Sequence, residues 1–297
     1  MQFMKRIFML VLANILIMVA LDIVYTIVIS LFPGLQVIAN GPLIVLSLVW
    51  GFGGAFLSLA LSKQFAKWFQ GVRVIDPDRA GPEERWLVST VHSLAREAGI
   101  TTMPEVGIWD SPEVNAFCTG PTKNSALVAV STGILQRMDR DELQGVLGHE
   151  LSHAANGDMV TMTLIQGVVN SFVIFASFIL ARLLVRGDDR RRGDSFLEMV
   201  VRWVLEITLS LLANLVIVYP YSRWREYRAD AGGARLAGKA RMIAALRALQ
   251  DTFRVPVPQG AGGHPALASF KISGRPRSAL WSTHPSLEDR IAALERL

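Results

Sequence analysis

The sequence contains one cysteine, Cys118, so it cannot form an internal disulfide and its fold needs no oxidising compartment. Charge is also scarce, because only 19% of the 297 residues are Asp, Glu, Lys or Arg while 51% are hydrophobic. The mean hydropathy is accordingly positive, at +0.36. This composition excludes a disordered chain. The net charge of +5 comes without a long basic run, so the basic residues suit membrane flanks better than a nucleic-acid surface.

Charge is scarcest near the N-terminus, where Asp22 is the only charged residue between Arg6 and Lys63. This interval holds two apolar segments, 7–32 and 43–61, separated by a stretch rich in turn-forming Pro, Gly and Asn. Each segment has about the 20 residues that a helix needs to cross the hydrocarbon layer. The sequence therefore predicts a retained transmembrane hairpin rather than a cleaved signal peptide.

The flanks of this hairpin carry the basic residues, whereas the loop between its helices has none. The basic residues beside it are Lys5, Arg6, Lys63, Lys67 and Arg73. Basic flanks favour the cytoplasmic side of a membrane. We therefore expect both ends of the hairpin, and the domain that follows it, to face the cytoplasm.

A second pair of apolar segments covers residues 159–185 and 196–221. The first of them contains one charged residue, Arg182, and is predicted to span the membrane. The second is weaker, because charged residues interrupt its first half; they are Glu198, Arg202 and Glu206. The loop at 187–194 holds three arginines, which conflict with the positive-inside preference if the loop lies outside. The sequence leaves open whether this pair spans the bilayer or lies against it.

The remaining segments have the patterns of a soluble domain. Helices are predicted at 82–98, from Asp139 to Asn156, at 222–236, 241–252 and 287–297, and strands at 105–109, 114–118 and 126–131. We therefore expect a mainly α protein with a small β-sheet (α+β) and polytopic membrane helices. Its expected parts are a transmembrane hairpin (1–62), a first catalytic part (63–158), the second apolar pair (159–221) and a second catalytic part (222–297).

The strongest chemical signal is the sequence His149-Glu150-Leu151-Ser152-His153, an H-E-x-x-H motif. Residues four apart share one face of a helix, so both imidazoles can bind one metal ion while the glutamate reaches a water molecule beside it. Asp139 and Glu142 form a predicted capping box that begins this helix. The alternative is two ordinary helix histidines beside an ion pair. This alternative is the weaker interpretation, because the motif lies on a capped helix.

A catalytic zinc site needs a third protein ligand. The metzincin pattern requires Gly at position 156 and His at position 159, and this chain has Asn156 and Met159, so that class is excluded. The downstream candidates are Glu198, Glu206, Glu226, Glu288, His264 and His284. Alternatively, the acids of the arginine-rich helix that contains Glu226 form ordinary surface ion pairs and bind no metal.

Given the upstream motif, the helix that contains Glu226 is the favoured source of the third ligand, because Glu226 and Asp230 lie one turn apart on one of its faces. One of these acids can bind the metal while the other accepts a hydrogen bond from a ligating histidine. This arrangement requires His149, His153 and Glu226 to share one compartment. The chain between them must then cross the membrane twice or not at all.

These motifs together resemble the membrane-bound zinc metalloproteases of peptidase family M48. They are the N-terminal hairpin, Asn115-Ala116-Phe117, His149 to His153, Ser222 to Asp230, and Ser282-Thr283-His284-Pro285. The resemblance implies a gluzincin-like catalytic domain at the bacterial inner membrane, facing the cytoplasm, that degrades misfolded membrane proteins under stress. It also implies Glu226 as the third zinc ligand, Asn115, Ala116 and Phe117 on an edge strand that holds the substrate, and His284 as the residue that steadies the tetrahedral intermediate.

We therefore expect a zinc metalloendopeptidase with one catalytic Zn²⁺, held by His149, His153 and Glu226 and supported by Asp230. Glu150 is the expected general base. The expected partners are unfolded or misfolded membrane proteins and the lipid bilayer, and not nucleic acid. The competing hypothesis is a membrane transporter or scaffold whose metal site is structural or accidental.

Overall fold

The computed structural model describes residues 19, 23, 25–33, 41–185, 196–254 and 284–297. The chain divides into two compact units, each made of two separate stretches. The first, the helical unit, comprises residues 1–59 and 161–218, and the second, the catalytic unit, comprises residues 60–160 and 219–297. The division into four parts that the sequence suggests stays a prediction.

The helices of the described chain begin and end as follows: α1 (Gly41–Ala60), α2 (Ser62–Phe65, continued by a π-helical turn at Ala66–Gln70), α3 (Pro82–Glu97), α4 (Thr132–Arg137), α5 (Arg140–Ala155), α6 (Asp158–Leu184), α7 (Phe196–Ala213, continued by a π-helical turn at Asn214–Val218), α8 (Tyr219–Ala237), α9 (Lys239–Arg254) and α10 (Leu287–Glu295). The strands are β1 (Arg73–Val74), β2 (Glu105–Trp109), β3 (Ala116–Thr122) and β4 (Ser125–Ser131). Helices predominate over a small sheet, which confirms the expected fold class.

The described chain contains three helices that are long and apolar enough to cross a membrane. They are Gly41–Ala60, Asp158–Leu184 and the continuous helix Phe196–Ala237, which has 42 residues. Helix α1 packs closely on α6 at two glycines: the ring of Phe52 lies against Gly167, and Ser171 lies against Gly51. Small residues at such crossings allow membrane helices to approach each other.

The sequence divides this region into an apolar segment, 196–221, and a separate helix, 222–236, whereas in the structure a π-helical turn joins α7 to α8 without a break. The charged residues of α7 are partly accommodated by α6: Arg182 lies 3.8 Å from Glu198, and Arg202 stacks over the ring of Phe178 at 4.3 Å. The arginine-rich loop and most of the first hairpin helix lie outside the described residues, although residues 25–31 are helical.

The sheet has the strand order β1-β2-β4-β3, with β2 and β4 parallel and both outer pairs antiparallel. Strand β3 therefore lies at one edge of the described sheet. It starts at Ala116 rather than at the predicted position 114, and it extends to Thr122. The extension passes through an irregular register at Gly120, whose φ of 149° few other residues adopt, so the Gly-Pro pair does not end the strand.

The core of the catalytic unit lies between the sheet and helices α3, α5 and α9. Helix α5 is buried over most of its length, and the predicted capping box begins it. The Asp139 carboxylate accepts a hydrogen bond from the Glu142 N–H at 2.8 Å, and the Glu142 carboxylate accepts one from the Asp139 N–H at 3.0 Å. This start places the H-E-x-x-H motif in the last turns of the helix.

Helices α5 and α8 approach each other closely because glycines line their contact. A Cβ atom on Gly233 would lie 2.9 Å from the backbone nitrogen of His149, and one on Gly232 would lie 2.6 Å from Ser152 Oγ. On α5, a Cβ atom on Gly148 would lie 3.0 Å from the Cβ of Ala237. Glycine at these positions lets α8 lie directly against the helix that carries the histidines.

Candidate metal centre

Helix α5 presents the two histidines of the motif on one face. His149 and His153 are one turn apart, and their Nε2 atoms lie 3.1 Å from each other. His149 is 1% exposed, and Glu150, the next residue, is 6% exposed. The two Nε2 atoms thus point to a common position inside the catalytic unit.

Helix α8 brings Glu226 to the same position. Its Oε2 lies 3.5 Å from His149 Nε2, and its Oε1 lies 3.4 Å from His153 Nε2. One ligand atom from each of these three residues falls within 4.8 Å of the others, an arrangement that can hold a metal ion. Among the candidate third ligands that the structure describes, Glu226 is the one in this cluster. His264 lies outside the described residues.

Each histidine also contacts a carboxylate through its other ring nitrogen. His149 Nδ1 lies 2.9 Å from Asp230 Oδ1, a contact that the spacing of Glu226 and Asp230 suggests. His153 Nδ1 lies 2.7 Å from Asp158 Oδ2. Sequence analysis missed Asp158. This residue directly follows Gly157, which has a φ of 70° at the end of α5. These carboxylates orient the rings so that both Nε2 atoms remain available.

The C-terminal helix contributes a buried arginine that sequence analysis also missed. Arg290 is 0% exposed, and its guanidinium donates two hydrogen bonds to the Asp230 carboxylate, at 2.7 and 2.6 Å. The same segment carries His284, whose Nδ1 lies 3.0 Å from Glu226 Oε2. Residues near the end of the chain thus surround the pair of acids on α8.

Glu150 lies between the motif and the edge strand. Its Oε2 accepts a hydrogen bond from the backbone N–H of Cys118 at 2.9 Å. Burial raises the pKa of the Glu150 carboxyl, while the nearby histidines oppose this rise. Burial and the Glu150 charge likewise raise the pKa of the Cys118 thiol, so this cysteine is not an activated nucleophile.

The strand predicted to hold substrate lies beside this glutamate. Phe117 is 3% exposed and packs on Trp109, with ring centroids 5.1 Å apart, so its side chain belongs to the core. Asn115 exchanges hydrogen bonds with Ser131 on the β4 side. Because backbone groups alternate in direction along a strand, those of Ala116 and Cys118 point away from β4 towards the open edge.

The donor set fits a divalent cation. It combines two imidazole nitrogens with a carboxylate, the ligand chemistry of gluzincin-type zinc sites. Glu226 is 1% exposed, and its Oε2 lies 3.0 Å from His284 Nδ1, 3.5 Å from His149 Nε2 and 3.6 Å from Arg290 Nη1. The buried carboxylates of the site, which are Glu150, Asp158, Glu226 and Asp230, outnumber the buried guanidinium of Arg290. A cation at this position would offset the excess negative charge.

Comparison with known proteins agrees with this geometry. Residues 82–297, which include the whole metal cluster, match peptidase family M48. The chain belongs to peptidase family M48. It is therefore a metalloprotease, and its apolar helices make it a multi-pass membrane member of the family.

Full-length relatives place the chain near one branch of M48. It is 49% identical to "Protease HtpX homolog" of Bacillus licheniformis over 300 residues, covering 98% of this chain and 99% of that protein. It is 47% identical to "Protease HtpX" of Shewanella oneidensis over 298 residues, with the same coverage. The expected resemblance is confirmed: the chain is an HtpX-type M48 protease.

A solved structure has a similar fold at low sequence identity. The crystal structure of S. mikatae Ste24p superposes with a TM-score of 0.65 at 18% identity, over 99% of this chain and 66% of that chain. At this identity the likeness concerns the fold alone. It supports the arrangement of a small sheet among predominantly helical elements.

Proposed function

We propose that this protein is a zinc-dependent integral membrane endopeptidase that cleaves misfolded or damaged membrane proteins during stress. The observation that carries the proposal is the cluster of His149, His153 and Glu226, with Glu150 beside it. The three residues would hold one Zn²⁺, which would lower the pKa of a water molecule and polarise the scissile carbonyl. Imidazole ligands favour zinc over magnesium or calcium, which prefer all-oxygen sites.

Glu150 is the proposed general base. Its carboxylate takes a proton from the attacking water and passes it to the nitrogen of the leaving amine. The hydrogen bond from the Cys118 N–H keeps the carboxylate next to the edge strand where a substrate would lie. His284, which lies against Glu226, is proposed to donate a hydrogen bond to the substrate oxygen as negative charge develops on it.

The substrate is proposed to bind as an extended strand along the edge of β3. Backbone hydrogen bonds to Ala116 and to the carbonyl of Cys118, whose N–H bonds Glu150, would select extended chains with little regard to sequence. Of the predicted segment Asn115–Phe117, we propose this role for the Ala116 backbone alone, since Asn115 bonds Ser131 on the β4 side and the Phe117 side chain packs in the core. Unfolded segments of membrane proteins fit this mode, because a folded protein offers few free strands.

The proposal is tested by Glu150→Gln, assayed on unfolded casein with the purified full-length protein. We expect the variant to bind zinc as the parent does and to cleave about 10²- to 10⁴-fold more slowly, the contribution of a general base. The matched control is Glu97→Gln, an exposed carboxylate near the end of α3. Equal cleavage by parent and Glu150→Gln would exclude Glu150 as the base.

The same preparation separates a protease from a transporter or scaffold with a structural metal. Excess chelator should abolish cleavage, and added Zn²⁺ should restore it where Mg²⁺ does not. A structural site would bind the metal and cleave nothing, with or without chelator. Replacement of Glu226 by Ala should lower the zinc content, and unchanged zinc stoichiometry would move the third ligand elsewhere.

We also propose that the protein lies in the bacterial inner membrane with its catalytic unit in the cytoplasm. The support is the basic flank Lys63, Lys67 and Arg73 after α1. A C-terminal epitope tag should be protected from added protease in right-side-out vesicles and digested in inverted ones. The opposite pattern would place the catalytic unit outside.

A further inference from the structure

Among the described residues of the catalytic unit, the most deeply buried charge is a cation that the proposed mechanism does not use. Arg290 on α10 is 0% exposed. Its Nε donates to Asp230 Oδ2 at 2.7 Å, and its Nη2 donates to Asp230 Oδ1 at 2.6 Å. Such a two-point contact fixes the plane of a carboxylate as well as its position.

The fixed carboxylate in turn contacts a proposed metal ligand. Asp230 Oδ1, which accepts from Arg290, also lies 2.9 Å from His149 Nδ1. A hydrogen on Nδ1 leaves the Nε2 lone pair free for a metal, and a carboxylate acceptor favours this tautomer. We assign the tautomer from this network of contacts.

The Arg290 guanidinium could also favour the other tautomer of His149, which carries its hydrogen on Nε2 and cannot bind a metal there. Arg290 Nη2 lies 3.3 Å from His149 Nδ1 and can only donate. If Nδ1 accepted this hydrogen bond, the ring hydrogen of a neutral His149 would sit on Nε2 and block metal binding. The two-point contact with Asp230 directs the guanidinium to the carboxylate instead.

We propose that Arg290 is a positioning residue of the metal centre, which holds Asp230 so that His149 presents Nε2 to the ion. The inference rests on the proposed metal site and adds that the C-terminal helix completes it. Docking of α10 and binding of the metal are then thermodynamically coupled, and each strengthens the other.

The experiment measures the zinc dissociation constant by chelator competition on the full-length protein in detergent. We expect Arg290→Met and Asp230→Asn each to weaken zinc binding by about 10- to 100-fold, the usual effect of losing a residue that orients a ligand. The variant Arg290→Lys keeps the charge without the two-point geometry, so it should restore only part of the affinity.

The double variant distinguishes positioning through Asp230 from a general structural role. If Arg290 acts through Asp230, Arg290→Met should cause no further loss in a protein that already carries Asp230→Asn. A double variant weakened by the product of the two single effects would overturn the proposal. So would a single variant, Arg290→Met or Arg290→Lys, that binds zinc as tightly as the parent.

Misfolding is controlled within the same set. A single variant leaves the charge of Arg290 or of Asp230 buried without its partner. The double variant Arg290→Met/Asp230→Asn removes both charges and keeps similar side-chain volumes. If Arg290→Met does not fold, Arg290→Lys is compared with and without Asp230→Asn. We expect Arg290→Lys to weaken zinc binding only when Asp230 is present. Equal losses in both backgrounds would contradict positioning through Asp230.

The matched control is Arg247→Met, which removes another ion pair of α10. Arg247 lies on α9 and contacts Glu295 at 3.2 Å, with both side chains more than half exposed. We expect it to leave the zinc dissociation constant unchanged. If the parent itself binds no zinc, the proposed function fails; if the parent binds and the Arg290 variants bind equally, only this inference fails.

Discussion

At the scale of single residues, the site is built from histidines held at both ring nitrogens. His149 and His153 direct Nε2 towards Glu226, while Nδ1 of each contacts a buried aspartate. Burying these carboxylates is costly unless each is paired. The pairing therefore ties the orientation of the rings to the stability of the catalytic unit.

Asp158 provides the first prediction at this scale. Asp158→Asn removes the charge that faces His153 Nδ1 at 2.7 Å, so the imidazole should be held less firmly. We expect zinc affinity to fall by about 10- to 100-fold, measured by chelator competition. Asp141→Asn, an exposed carboxylate near the start of α5, serves as the control. An unchanged affinity in Asp158→Asn would show that this aspartate does not orient the ring.

At the scale of elements, the site depends on how closely two helices approach. Helix α5 carries His149 and His153, and α8 carries Glu226, so the distance between the helix axes sets the size of the metal cluster. Gly232 and Gly233 permit the contact, because a side chain at either position would meet α5. The glycines therefore serve the site through packing against α5, without contributing a ligand atom.

Gly233→Ala tests this dependence. Its Cβ would lie 2.9 Å from the backbone nitrogen of His149, which can yield only if the helices separate. We expect a loss of about 1–3 kcal/mol in the free energy of unfolding, typical of overpacking, together with weaker zinc binding. Both are measured by thermal unfolding and chelator competition. Gly54→Ala, where no atom lies within 4 Å of the added Cβ, should lower neither quantity.

At the scale of the whole molecule, one stretch of the helical unit lies, in the sequence, between the two groups of proposed metal ligands. Residues 161–218 separate His149 and His153 from Glu226. The three residues lie together, so the intervening chain must cross the membrane an even number of times. The helices Asp158–Leu184 and Phe196–Ala237 are each long enough to account for such a pair of crossings.

Removal of the metal should therefore loosen one unit and spare the other. A ligand present at a thousandfold excess over its dissociation constant stabilises the folded state by about 4 kcal/mol. We expect chelator to raise amide hydrogen exchange in α5, α8 and α10, while α1 exchanges as before. Equal changes in α1 would contradict a metal effect confined to the catalytic unit.

Local patterns of the sequence predicted much of the architecture. The capping box at Asp139 and Glu142, the strand 105–109 and the three apolar helices that the structure describes are confirmed, since each depends on neighbours a few residues apart. Most of the first predicted apolar segment, 7–32, lies outside the described residues. The start of β3 was wrong by two residues, because pairing with β4 rather than the local sequence sets the strand. The parallel pairing of β2 with β4 also lay beyond local patterns.

The sequence by itself determined that two histidines share a helical face, because a spacing of four residues has this consequence in any helix. It also determined which segments can span a membrane, because this property depends on their own length and hydropathy. Only the tertiary structure decided that Asp158 and Arg290 join the site. Arg290 lies 141 positions from His149, and a contact over that distance exists only because α8 and α10 pack into one core.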